Sequence, residues 1–158
     1  MGIQMGAKID ETYAALGENT PGIGDVYFGP DGKVYKFVQY VGGAGSVAAV
    51  AGNVAYYFAP SGASAGATNV VTSDLSDSAG LGAGVLQSAP AANEFCWVQI
   101  RGDATITPAL TAGGDGQALT AVGATTDGTL DVSALVTDAV VAYAVDASAR
   151  IIKCNFPW

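Results

Sequence analysis

An all-β fold, a small β-barrel or sandwich with an extended, largely irregular N-terminal arm, is predicted by three observations. Gly, Ala, Val and Thr are abundant while Leu, Glu and Lys are scarce, which suits strands and turns better than amphipathic helices. Asp-Gly occurs at Asp31-Gly32, Asp115-Gly116 and Asp127-Gly128, each able to supply the positive φ of a tight turn. Short apolar segments recur along the chain and are broken by Gly and Pro, as in small barrels and sandwiches.

In chain order, residues 1–21 make the arm and residues 22–158 the β-rich domain. In the arm, Asp10 is placed to cap a helical turn over 11–16 that Gly17 would close. The rest of the arm has no period, yet it carries Ile3, Met5, Ile9 and Tyr13, and like the C-terminal Phe156-Pro157-Trp158 it is either pinned against a partner or closed over this chain's own core. A hairpin follows, from 25–28 through Gly29-Pro30-Asp31-Gly32 into 33–41, with Pro30 presetting φ and Gly32 allowing a left-handed exit. The small-residue stretches 42–46 and 59–66 read as connectors exposed to solvent. Further strands are expected over 53–58, 69–72, 85–88, 95–102 and 104–107. In the segment from Phe95, alternation sends Cys96, Val98 and Ile100 to one face and Phe95, Trp97, Gln99 and Arg101 to the other. The first face is core; the second is half-exposed or covered by a neighbour. The closing strands lie near 117–119, 140–145 and 150–156, with a turn or helical fragment near 132–135.

The chain of 158 residues is long enough for one domain with a real core. Only 13% of its residues are charged, about half the ~25% usual in soluble domains, so part of the surface is expected to be covered. With no histidine, every histidine-based triad, dyad or metal site is excluded. Six Lys and Arg against fourteen Asp and Glu, a net charge of −8, argue against nucleic acid as a partner. There is no signal-peptide pattern and no apolar run near ~18 residues, so a soluble protein without membrane association is expected. Cys96 and Cys154 sit in separate apolar segments and read as buried free thiols, with a bridge between neighbouring strands as the alternative. The carboxylates mostly sit beside Gly, Ser or Thr, where Asp is ordinary turn chemistry, and residues 126–131 lack the ligand alternation of a calcium loop. No catalytic residue, metal or cofactor is expected.

Several segments occur in a telling order: Gly84-Val85-Leu86-Gln87-Ser88-Ala89-Pro90, a turn through Ala92-Asn93-Glu94, Phe95-Cys96-Trp97-Val98-Gln99-Ile100-Arg101-Gly102, and Ala104-Thr105-Ile106. Gly116-Gln117-Ala118-Leu119 and Thr126-Asp127-Gly128-Thr129-Leu130 follow. Together they resemble the small capsid decoration proteins of tailed bacteriophages, also called cement or head-stabilising proteins. The resemblance covers the C-terminal half. The bulky strand at 140–145 and the tail at 155–158 depart from that family's pattern.

The resemblance implies a non-enzymatic viral protein, made in the bacterial host cytoplasm and bound to the outer surface of the mature capsid. It would cement neighbouring major capsid protein subunits against internal DNA pressure. It would act as a homo-oligomer, a trimer being favoured, whose several contacts reinforce one another. Contacts with capsid or subunits are expected from Ile3, Met5, Ile9 and Tyr13 on the arm, Trp97 and Arg101 on the two-faced strand, and Phe156 and Trp158 at the end. Removing residues 1–17 is expected to abolish capsid binding and leave the fold intact. The alternative is a receptor- or glycan-binding knob of a phage fibre or spike, with Tyr56, Tyr57 and Phe58 beside Asp74 and Asp77 in an exposed pocket.

Overall fold

A computed structural model describes residues 6–60 and 68–158. Among them, ten strands form one sheet: β1 Val26–Phe28, β2 Val34–Tyr40, β3 Val54–Phe58, β4 Val70–Thr72, β5 Ser78–Leu86, β6 Phe95–Thr105, β7 Ala118–Thr120, β8 Asp131–Val132, β9 Ala142–Asp146 and β10 Ile151–Asn155. The hydrogen-bonded order is β1-β2-β4-β3-β5-β6-β10-β9-β7-β8, and β2 also pairs with β6. The sheet therefore doubles back on itself. The two returns, β2 with β4 and β5 with β6, are ladders of two residue pairs each, so the result is a folded-over sandwich and not an evenly closed barrel. No helix among the described residues is long and apolar enough to cross a membrane.

The hairpin forms because its turn chemistry is local: Pro30–Gly32 make one 3-10 turn, and Asp31 and Gly32 both take positive φ. Elsewhere packing overrides the local signal. Expected strands at 95–102 and 104–107 are one strand, β6, which continues through Gly102 at φ +85°. The strand expected at 85–88 begins seven residues earlier, at Ser78. Its glycines are spacers: a Cβ on Gly82 would lie 2.8 Å from the Phe156 ring, and one on Gly84 2.8 Å from Val98. No helical fragment forms at 132–135, where β8 gives way to a turn.

The main core lies between the folded layers. It takes Val38 and Tyr40 from β2, Cys96, Val98 and Ile100 from β6, Ala142 and Ala144 from β9, and Ile152 and Cys154 from β10. Lys36 also lies on this buried side, its Nζ donating to the Tyr57 hydroxyl at 3.0 Å while sitting over that ring. A second, smaller core forms on the opposite face of β2 and β6, from Tyr35, Phe37, Phe95 and Trp97. The arm roofs it. Tyr13 pairs with Phe95 as an antiparallel bridge, with N–H···O distances of 2.9 and 2.8 Å, and its ring meets Phe37 edge-on at 5.6 Å. Ala7, Ile9 and Tyr27 complete the cover.

This packing corrects the helical expectation for the arm and favours the reading in which the arm closes over this chain's own core. Residues 11–16 form no helix; Tyr13 makes an isolated bridge and the chain bends at 14–15, because pairing with β6 and burying aromatic surface outweighs one local cap. Removing residues 1–17 would also uncover Phe37 and Trp97, so the arm belongs to the fold and is not a free clamp.

Candidate interaction surface

The outer face of β6 changes character along its length. Phe95 and Trp97 lie under the arm and Gln99 is buried, whereas Arg101 is half-buried and Asp103 and Thr105 are exposed. Where the roof ends, a groove of about 730 Å³ opens between β1, β6, β9 and β10. Its outward row is set by register: Asn155 faces Arg101, and Lys153 faces Asp103 on one side and Tyr143 on the other. Aromatic residues stand at its rim. Phe28 is 63% exposed and Trp158 57%, with ring centroids 6.0 Å apart. The Arg101 guanidinium lies 5.1 Å from the Trp158 ring centre, a cation–π arrangement, and its Nη1 donates to the carbonyls of Ile100 and Phe156. The guanidinium thus ties the C-terminal tail to β6 and holds the indole in place.

Of the eight residues expected to make contacts, the structure brings together only Arg101 and Trp158 as open surface. Ile3 and Met5 lie outside the described residues. Ile9 and Tyr13 are half-buried against the second core. Trp97 and Phe156 are 0% exposed and present nothing to a partner. The Trp97 face is indeed covered, but by this chain's own arm. Phe156 turns inward because Gly82 leaves it space and its amide pairs with the Ile100 carbonyl at 3.2 Å. The pocket proposed for a glycan is closed as well: Tyr56, Tyr57, Asp74 and Asp77 are buried, and only Phe58 is half-buried.

Those two carboxylates have a structural task that their sequence context hid. Asp74 Oδ2 accepts from the Gly45 amide at 2.8 Å, and Asp77 Oδ2 accepts from the Ala44 amide. The stretch 42–46 is therefore a gripped loop and not a loose connector. Gly43, at φ +68°, permits the grip, since a Cβ there would fall 2.6 Å from Asp74 Oδ2. The hydrogen bond from the Ser76 hydroxyl, helped by the Gly45 and Ser76 amides, holds the Asp74 carboxyl below the usual carboxylate range. Other acids lock turns in the same way: Asp127 accepts from the Leu75 amide, and Asp115 from the Ala147 amide. Cys96 and Cys154 are both free and buried, and burial pushes each thiol up to about 12.

A second open apolar feature lies beyond β8. Asp138 Oδ2 accepts from the amides of Ala134 and Leu135 at 3.0 and 2.8 Å, and its own amide donates to the Leu135 carbonyl at 3.1 Å. The turn so pinned carries Leu135, 64% exposed, and Val136, fully exposed. Phe28, Tyr143, Leu135 and Val136 were not among the expected contacts. The strand alternation from Ala142 gave the only sequence signal for any of them, since it places Tyr143 opposite the inward Ala142 and Ala144. Comparison with known proteins found no matching family model, no matching curated protein and no matching solved structure.

Proposed function

We propose that this chain is a non-enzymatic structural protein of a tailed-phage virion. In this reading it binds the outer surface of the mature capsid and cements neighbouring major capsid protein subunits, as a homo-oligomer. The ordered motifs from Gly84 to Leu130 suggest the family. The observation that carries the reading is the placement of the four most exposed large apolar residues among the described ones, Phe28, Leu135, Val136 and Trp158. They sit on two separate rigid features, the groove at Phe28 and Trp158 and the pinned turn at Leu135 and Val136. A cement that acts as a homo-oligomer needs each copy to join its neighbouring copies, and two preorganised contact features on one small domain suit that task. The acids whose bonds are described above are spent on locking turns, which supports a binding role over an acid–base one.

The test is co-sedimentation of the purified protein with undecorated, expanded capsids. Saturation at a fixed ratio, with added resistance of the particles to heat, is the expected result. Absence of saturable binding would overturn the reading.

A further inference from the structure

The two apolar features match each other in shape class and in charge. Neither has a partner among the described residues of its own chain. The turn at 133–139 is locked by the Asp138 carboxylate, so its apex is held out in one conformation. Turn apices facing water are usually built from Gly, Asn, Asp, Ser or Pro, which need no apolar contact. A single exposed aliphatic residue is unremarkable. Two in succession at the apex of a locked turn form a preformed plug, whose insertion costs little ordering entropy.

The groove is the complementary receptor. Its volume of about 730 Å³ lies within the ~300–1,000 Å³ range of binding pockets and has room for two aliphatic side chains. Its rim offers Trp158 and Arg101, two of the residue types that most often anchor interfaces.

Charge sets the direction of the pairing. Of the six Lys and Arg in the chain, Arg101 and Lys153 line the groove and Lys33 packs beside it against Gly102. None of the three is in an ion pair among the described residues, where the pair found is Lys8 with Glu11. The lining itself balances two cations against two carboxylates, Asp31 and Asp103, and Lys33 beside it tips the region positive in a chain whose net charge is −8. The plug is flanked by Asp131 and Asp138, and no Lys or Arg occurs between Arg101 and Arg150. An acidic, apolar-tipped turn thus has an aromatic groove edged by Lys33, Arg101 and Lys153 to fill on an identical chain. Leu135 is too exposed to be seated in the groove of its own molecule.

We infer that the turn bearing Leu135 and Val136 of one copy docks into the groove between Phe28 and Trp158 of the next. The contact is head-to-tail, so it closes into a ring or runs on as a filament according to the rotation between copies. The inference rests on the homo-oligomer of the reading above and is independent of its capsid.

Sedimentation velocity and light scattering on the full chain test it. The wild type is expected to be oligomeric, and Val136→Asp and Trp158→Ala to be monomeric with unchanged thermal unfolding. Leu135→Ser and Phe28→Ser repeat each arm of the test if either variant misfolds. Mixing Val136→Asp with Trp158→Ala is the decisive step. The first keeps its groove and the second its plug, so one contact survives and the mixture should stop at a 1:1 dimer. A monomeric wild type, a Val136→Asp protein that assembles like wild type, or a mixture that stays monomeric would each overturn the contact. A wild-type ring that ignores capsids overturns the capsid reading alone, and a monomeric variant that still binds capsids leaves that reading standing.

Discussion

Gly84 shows how single residues set what this fold tolerates. A Cβ at that position would meet Val98 at 2.8 Å and the Gln99 carbonyl at 3.0 Å, and the second of these is backbone that does not swing aside. Gly84→Ala is therefore expected to destabilise the domain by about 1–3 kcal/mol, the usual cost of overpacking, read as a lower urea midpoint at unchanged slope. An unchanged midpoint would mean that β5 shifts freely. The two cysteines give a pH prediction. Burial raises both thiols to about 12, whereas in the unfolded chain they ionise near ~8.5. The unfolded state then sheds protons that the folded state keeps, so stability holds below about pH 8 and falls from there toward pH 12. Both thiols should be inert to a thiol reagent at neutral pH in the native protein and should both react in denaturant. Rapid labelling of the native chain would show that one of them is accessible.

Among the elements, the arm is the one whose role the fold redefines. Its Tyr13 exchanges two backbone hydrogen bonds with Phe95 and lays an aromatic edge on Phe37. Tyr13→Ala is expected to cost about 1–3 kcal/mol, less than a fully buried aromatic would, because Tyr13 is only half-buried. The change should also wet Trp97. In a Trp158→Ala background, where Trp97 is the remaining tryptophan, its emission should shift to longer wavelength. An unshifted spectrum would mean that the rest of the arm suffices as a roof. β5 teaches the converse lesson. Gly80, Gly82 and Gly84 alternate with Ala79, Leu81 and Ala83, a pattern of small residues that reads as a loop until Val85, yet these glycines are what allow Val122, Phe156 and Val98 to approach.

For the molecule as a whole, sparse charge makes the few cations informative. If Lys33, Arg101 and Lys153 of one copy face the acidic turn of the next, self-association should weaken as salt rises. Between about 0.05 and 0.5 M NaCl the dissociation constant is expected to increase several-fold, as the screening length falls from above ~10 Å toward a few ångströms. Sedimentation velocity across that series measures it. A salt-independent constant would leave the apolar plug as the only contribution and remove the charge argument.

What the sequence determined by itself was the chemistry of short range. The hairpin at Pro30 to Gly32, the two faces of β6 and the all-β class follow from turn residues and from alternation, which act over a few neighbours. Its aromatics and carboxylates were legible as residue types but not as places. Trp97 and Trp158 are equally bulky, yet one is roofed by the arm and the other stands on Arg101. Asp74 and Asp138 are both turn aspartates, yet one grips a distant glycine loop and the other pins an apolar apex. Only the tertiary structure decided which side chains face water, because exposure depends on which distant segment comes to lie on top. That is a matter of long-range pairing, such as Tyr13 on Phe95, which no local pattern records.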